Sequence, residues 1–256
     1  MNYSRWMGMP RLTTISSLCS ARLRFRCMAM VRLAICVGSL IIIQMLGVAN
    51  AQAPDDDSLR IYAVNVAKTR PFKDESIGYG IYLGQGTVLT AAHVVGHWPF
   101  FTRPRVLVAG LDLPAKVLKN ALNEQTDLAL LSVDEARLPV SLRLRRNPLC
   151  HRPPMLGMEV IDVVPERTSR TRIISALSIS PALRNNFDTL VDNVEVSGSG
   201  IFDAQRKCLL GIASAKVVKF KNQMQNGHVV YIPAGFAGYF VSAAKIAKFL
   251  PENLHP

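Results

Sequence analysis

Gly86-Thr87-Val88-Leu89-Thr90-Ala91-Ala92-His93 is a short apolar run that closes on small residues and then a histidine. An imidazole set behind alanines at a strand end is held in one place, as a general base must be. Two more segments follow in order. Asp127 opens Asp127-Leu128-Ala129-Leu130-Leu131, and Ser197 opens Ser197-Gly198-Ser199-Gly200-Ile201-Phe202-Asp203. A serine hydroxyl is a weak nucleophile until a base lies ~2.6–3.2 Å away. A carboxylate on the far side of that base fixes its tautomer and stabilises its positive form. Alone, Asp127 reads as a surface turn and the Gly/Ser stretch as a plain turn. In the order His, Asp, Ser the three form a specific pattern.

Working outward, short strand-like segments flank this set. Leu59 to Val66, Ile77 to Leu83, Thr87 to Ala91, Arg105 to Ala109, Ala115 to Leu118 and Leu128 to Val133 are separated by Gly, Pro or charged turns. Residues 134–157 hold four prolines and the cluster Arg143, Arg145, Arg146, Arg152, and read as a crossing between two halves. A second set follows: Met158 to Val164, Arg172 to Ile179, Thr189 to Val194, Gly200 to Phe202, Cys208 to Ala213 and Val229 to Ile232. The polar stretch 203–207 predicts a hairpin between two of these. Ser242 to Leu250 places Ala243, Ile246, Phe249 and Leu250 on one helical face before Pro251. The expected fold is all-β: two antiparallel six-stranded barrels over 58–137 and 158–250, a linker at 138–157, and a closing C-terminal helix.

Residues 1–51 contain six arginines and no acidic residue, then an apolar run from Leu33 to Val48 and the exit Ala49-Asn50-Ala51. This is the layout of a secretory signal peptide cut after Ala51, with Met28 and Met30 as alternative starts. An uncleaved anchor is the rival, although the run is short of the ~20 apolar residues a span needs. The protein is therefore expected to be exported, periplasmic or secreted, with membrane contact only if the leader stays uncleaved. The formal charge of +12 halves once the leader is set aside, because residues 52–256 carry 24 basic and 18 acidic residues. That mild excess, with no recognition motif, argues against a nucleic-acid partner. No metal-ligand spacing and no glycine-rich phosphate loop appears, so neither metal nor cofactor is expected. Cys150 and Cys208 alone remain beyond the leader, which in an exported chain suggests one disulfide.

Over residues 60–250 the chain resembles the trypsin-like, or chymotrypsin-fold, serine peptidases. The spacing of 34 residues from His93 to Asp127 and 70 from Asp127 to Ser197 is similar to that of compact bacterial members. The resemblance implies two barrels with the site between them, His93 and Asp127 from the first and Ser197 from the second. It assigns His93 as base and then acid, Asp127 as its orienter and Ser197 as nucleophile in preference to Ser199. The implied activity is endopeptidase cleavage of a protein or peptide substrate through an acyl-enzyme. The backbone N–H groups of Glu195 and Ser197 would form the oxyanion hole.

Here the chain departs from the pattern. Glu195 stands where the family has glycine, and Val196 where it has Asp or Asn. A side chain at positive φ costs ~1–2 kcal/mol, so Glu195 is expected to turn its amide away at rest. A protease-fold scaffold that binds peptides or partners without cutting them is the alternative. The primary pocket would be lined by Val191, Ile212, Ala213 and Ser214. With no carboxylate from Val191, small or apolar side chains are the expected fit, and His228 is placed near this region. The family also braces this half with a disulfide close to Cys150–Cys208.

Overall fold

The computed structural model describes residues 55–70, 73–96, 103–121, 126–194, 196–225 and 228–254. The expected leader lies outside the described residues. The first β-unit holds β1 (Ala63–Arg70), β2 (Lys73–Gly84), β3 (Thr87–Ala91), β4 (Arg103–Val108), β5 (Leu111–Pro114), β6 (Lys116–Asn120) and β7 (Leu128–Ser132). They form one antiparallel sheet in the order β5-β4-β1-β2-β3-β7-β6. One face of the sheet gathers Val64, Val66, Tyr82, Val88, Val106, Leu113 and Leu131 into a single buried cluster, so the sheet is rolled on itself.

The second unit is a closed barrel of β8 (Glu159–Val164), β9 (Arg167–Ile174), β10 (Leu190–Asp192), β11 (Gly200–Asp203), β12 (Leu209–Gln225) and β13 (His228–Ser242), in the order β10-β13-β12-β11-β8-β9. Its interior packs Val160, Ile173, Val191, Ile201, Leu210, Ala213 and Phe240. Among the described residues, three short α-helices accompany the strands: α1 (Ala92–Val95) after β3, α2 (Val140–Arg143) in the crossing, and α3 (Ala243–Phe249) after β13. Ala243, Ile246 and Phe249 of α3 are buried, as their spacing predicts.

The strands nearest the three candidate residues are buried on both faces, which explains their unbroken apolar runs. In β7, Ala129 and Leu131 enter the first interior, while Leu128 and Leu130 join a larger core. In β11, Ile201 enters the second interior and Phe202 joins that same larger core. The larger core also holds Ile81, Leu89, Ile161, Val163 and Ile212. It is the seam between the two units.

Four differences from the sequence reading have physical causes. The first unit has seven strands rather than six, because Gly110, in left-handed conformation, turns β4 into the four-residue β5. Asp56–Tyr62 is a 3-10 helix and not the start of a strand, with the Asp55 carboxylate accepting from the amide of Asp57. Ala176–Ser178, expected as the end of a strand, is also a 3-10 helix, capped by the Ser175 hydroxyl. Finally, β12 and β13 run far beyond the barrel as one long hairpin. As expected, β11 and β12 form a hairpin about 203–207, where the Asp203 carboxylate accepts from the amides of Gln205 and Arg206.

Candidate active site

His93 lies in α1, directly after β3. Gly96 ends the helix with φ of 86°, a conformation that favours glycine. The His93 carbonyl accepts from Lys68 Nζ at 3.2 Å. Asp127 precedes β7 with φ of 43°, a left-handed conformation that Asp tolerates better than most residues. Two contacts lock these neighbours: the Asp127 carbonyl accepts from Ala92 N at 3.0 Å, and Oδ1 accepts from His93 N at 3.0 Å. Oδ2 faces the ring, 2.8 Å from His93 Nδ1. The imidazole is 43% exposed and the carboxylate 24%, so the ring opens toward solvent with its acceptor behind it.

Ser214 completes the shell around Asp127. Its hydroxyl donates to Asp127 Oδ2 at 2.5 Å. The cause lies in the register. Ala213 pairs with Phe240 and Ala215 with Tyr239, which leaves Ser214 as the extra residue of a β-bulge. Bulges re-aim one side chain without ending the sheet. Burial pushes the Asp127 carboxyl up, but hydrogen bonds from His93 and Ser214 outweigh it. The group ends below the usual carboxylate range.

Ser197 sits in the turn before β11, and the turn is docked on both units. Tyr79 N of β2 donates to the Ser197 carbonyl at 3.1 Å, and Gly198 N donates to Ala213 O at 2.8 Å. Gly198 has φ of 88°, and a Cβ there would lie 1.9 Å from the Tyr79 carbonyl oxygen. Only glycine lets the turn approach this closely. The Ser197 hydroxyl donates to the carbonyl of the bulged Ser214 at 3.4 Å, with no hydrogen bond to His93 in this conformation. Ser199 is fully buried, and its hydroxyl donates to Val196 O at 3.0 Å, closing the turn internally.

Ser214 therefore links the candidates, through its hydroxyl to Asp127, which holds His93, and through its carbonyl to Ser197. The sequence reading placed it in the pocket wall and missed this role. A lone serine in the apolar run from Leu209 to Ala215 was its only signal. The proposed pocket set divides. Val191 and Ala213 share the second interior, whereas Ile212 points to the opposite side of β12 and is fully buried in the seam, which makes it a core residue. His228 is exposed at the outer end of β13, opposite Gln225, and far along the hairpin from Ser214. Glu195 lies outside the described residues.

Behind the turn, Asp162 of β8 is only 3% exposed, and its Oδ1 has no hydrogen-bond partner. Burial pushes this carboxyl up; the Ser199 hydroxyl and Arg167 offset the effect only in part. Cys150 and Cys208 form a disulfide with Cα atoms 5.1 Å apart, tying the crossing to the start of β12. Among the described residues, one group of metal-ligating type gathers, Cys150, Asp203 and Cys208, and its two sulfurs are already bonded to each other.

Two rolled β-units with this seam between them have the fold of the trypsin-like serine peptidases. Among solved structures, the chain is similar to the active form of the Rv3671c protease from M. tuberculosis: 17% identity and a TM-score of 0.53, covering 78% of this chain and 84% of that one. The inactive form of the same protease matches at 18% identity and a TM-score of 0.50, over 78% and 93% of the two chains. Kallikrein-related peptidase 10, in complex with Zn2+, matches at 17% identity and a TM-score of 0.50, over 74% and 93%. No protein-family model matches the sequence, and no curated protein does. At these identities the likeness is one of fold.

Proposed function

We propose that the chain is an exported serine-type endopeptidase that cleaves peptide bonds through His93, Asp127 and Ser197 by way of an acyl-enzyme. The observation that carries this reading is the Asp127 carboxylate, which binds His93 Nδ1 with one oxygen and shares that oxygen with the Ser214 hydroxyl. A carboxylate so placed fixes the imidazole with its proton on Nδ1 and leaves Nε2 free to act as base.

In the proposed cycle, the Ser197 hydroxyl leaves the Ser214 carbonyl by rotating about its Cα–Cβ bond and gives its proton to His93 Nε2. Its oxygen attacks the scissile carbonyl, and negative charge builds on the carbonyl oxygen, whose stabilisation the family resemblance assigns to the amides of Ser197 and residue 195. His93 then protonates the departing amine, and water completes hydrolysis by the reverse sequence. The substrate backbone would pair with β12 near Ser214. Val191, fully buried in the second interior, offers no carboxylate to the side chain before the cut, which suits a small or apolar group.

An active-site fluorophosphonate probe tests the reading. The wild-type chain should take up the probe, and Ser197→Ala should lose it with the fold intact by circular dichroism. Asp127→Asn should slow labelling by about 10⁴-fold. Absence of labelling in folded wild type across neutral and mildly alkaline pH would assign the chain to the non-cutting scaffold instead.

A further inference from the structure

Ser199 is the serine of the turn that the catalytic reading leaves without a task. It is fully buried, and two of its groups converge on one atom. The hydroxyl donates to the Val196 carbonyl at 3.0 Å, and the Ser199 amide donates to the same oxygen at 3.4 Å. The amide contact is long for a backbone hydrogen bond, so the hydroxyl is the firmer hold.

That carbonyl belongs to the peptide that joins Val196 to Ser197. The peptide is trans, and in a trans unit C=O and N–H point in opposite directions. A carbonyl drawn toward the buried Ser199 therefore sends the Ser197 amide the other way. Among the described residues that amide makes no backbone hydrogen bond. The next two amides of the turn are already engaged, Gly198 N with Ala213 O and Ser199 N with Val196 O.

Asp162 of β8 bears on the same hydroxyl and is only 3% exposed. A serine hydroxyl has one hydrogen to give. A neutral carboxyl leaves that hydrogen on Val196 O, whereas a carboxylate competes for it. Burial favours the neutral form. Arg167 of β9 and Tyr79 of β2 are the titratable groups that interact with Asp162.

We propose that Ser199 is a positioning residue for the oxyanion site: by holding the Val196 carbonyl, its hydroxyl keeps the Ser197 amide turned away from the interior and free for the substrate oxygen. The inference rests on the catalytic reading of Ser197 and deepens it.

Two variants test it. Ser199→Ala removes the hydroxyl, and Ser199→Cys keeps the volume with a much weaker donor. With the fold checked by circular dichroism, both should lower the maximal rate of fluorophosphonate labelling by about tenfold or more, short of the ~100–1000-fold that loss of a whole oxyanion donor costs. The probe concentration giving half that rate should not change. Nuclear magnetic resonance with carbonyl-labelled valine and nitrogen-labelled serine reads the peptide directly. Both variants should move the Val196 carbonyl resonance upfield and alter exchange of the Ser197 amide, with the Val241–Ser242 peptide of β13 unmoved. The proposal is overturned if the Val196–Ser197 signals match wild type in both variants. It is equally overturned if only Ser199→Ala is slow and Ser199→Cys labels like wild type, which would make the side chain a space-filler. Wild type that takes no probe sinks the catalytic reading and the oxyanion role with it. Wild type that labels, with both variants labelling as fast, sinks this proposal alone.

Discussion

Asp162 shows how one buried side chain can contribute to the pH response of the fold. Its carboxyl lies under the Ser197 turn with the Ser199 hydroxyl and Arg167 as its polar company, and burial holds its proton affinity above that of an unfolded chain. Between the unfolded and folded pKa values the native state therefore binds more protons, and stability falls as pH rises through that window. Asp162→Asn removes the proton linkage while keeping the shape. Urea unfolding over a pH series rising from the ordinary carboxylate range should show a wild-type midpoint that declines relative to the variant's. The variant should lose that decline and be the more stable protein at the neutral end. Asp127 has the opposite sign: its lowered pKa contributes stability above the unfolded value that is lost on acidification. As candidates, His93, Asp127 and Ser197 were legible in the sequence because each follows or opens a short apolar run, and the structure pairs the first two. The linking role of Ser214 was not, because it depends on a one-residue bulge that the run from Leu209 to Ala215 does not announce.

At the scale of elements, the disulfide and the hairpins divide what local sequence controls from what it does not. The bond between Cys150 and Cys208 closes 58 residues, including β8 to β11. In the chain-entropy view a loop of that length is worth about 4 kcal/mol. Replacing both cysteines by alanine should lower the unfolding free energy by ~2–4 kcal/mol in denaturant titration, with the native far-ultraviolet spectrum retained. A thiol count on denatured, unreduced residues 52–256 should find none free. The turn at 203–207 was readable from four polar residues, and α3 from its apolar spacing. The outer half of the long hairpin was not. Lys, Asn and Gln in residues 219–225, and Pro233 with Gly235 in the return strand, carry little strand preference, so pairing with each other is what extends them.

For the molecule as a whole, the seam determines cooperativity. Ile81, Leu89, Leu128 and Leu130 of the first unit pack in one core with Ile161, Phe202 and Ile212 of the second. Neither unit should therefore unfold alone. Phe202→Ala, at a fully buried position, should cost about 3–5 kcal/mol. Calorimetry should still show a single transition for the variant, with calorimetric and van't Hoff enthalpies equal. Two resolved transitions would mean that the units fold separately. The all-β, two-unit plan followed from strand runs separated by turn residues. The seven-strand count in the first unit did not, because β5 is four residues long and only Leu113 is buried.

The turn at Gly198 gives the seam a second meaning. Because its backbone rests on the Tyr79 carbonyl and Tyr79 N holds Ser197 in return, Ser197 is fastened to the half that carries His93. Any motion that parts the halves must therefore break either the Tyr79–Ser197 contact or the Gly198–Ala213 contact. Under the proposed function, an opened protein would have to rebuild this turn before it could cut.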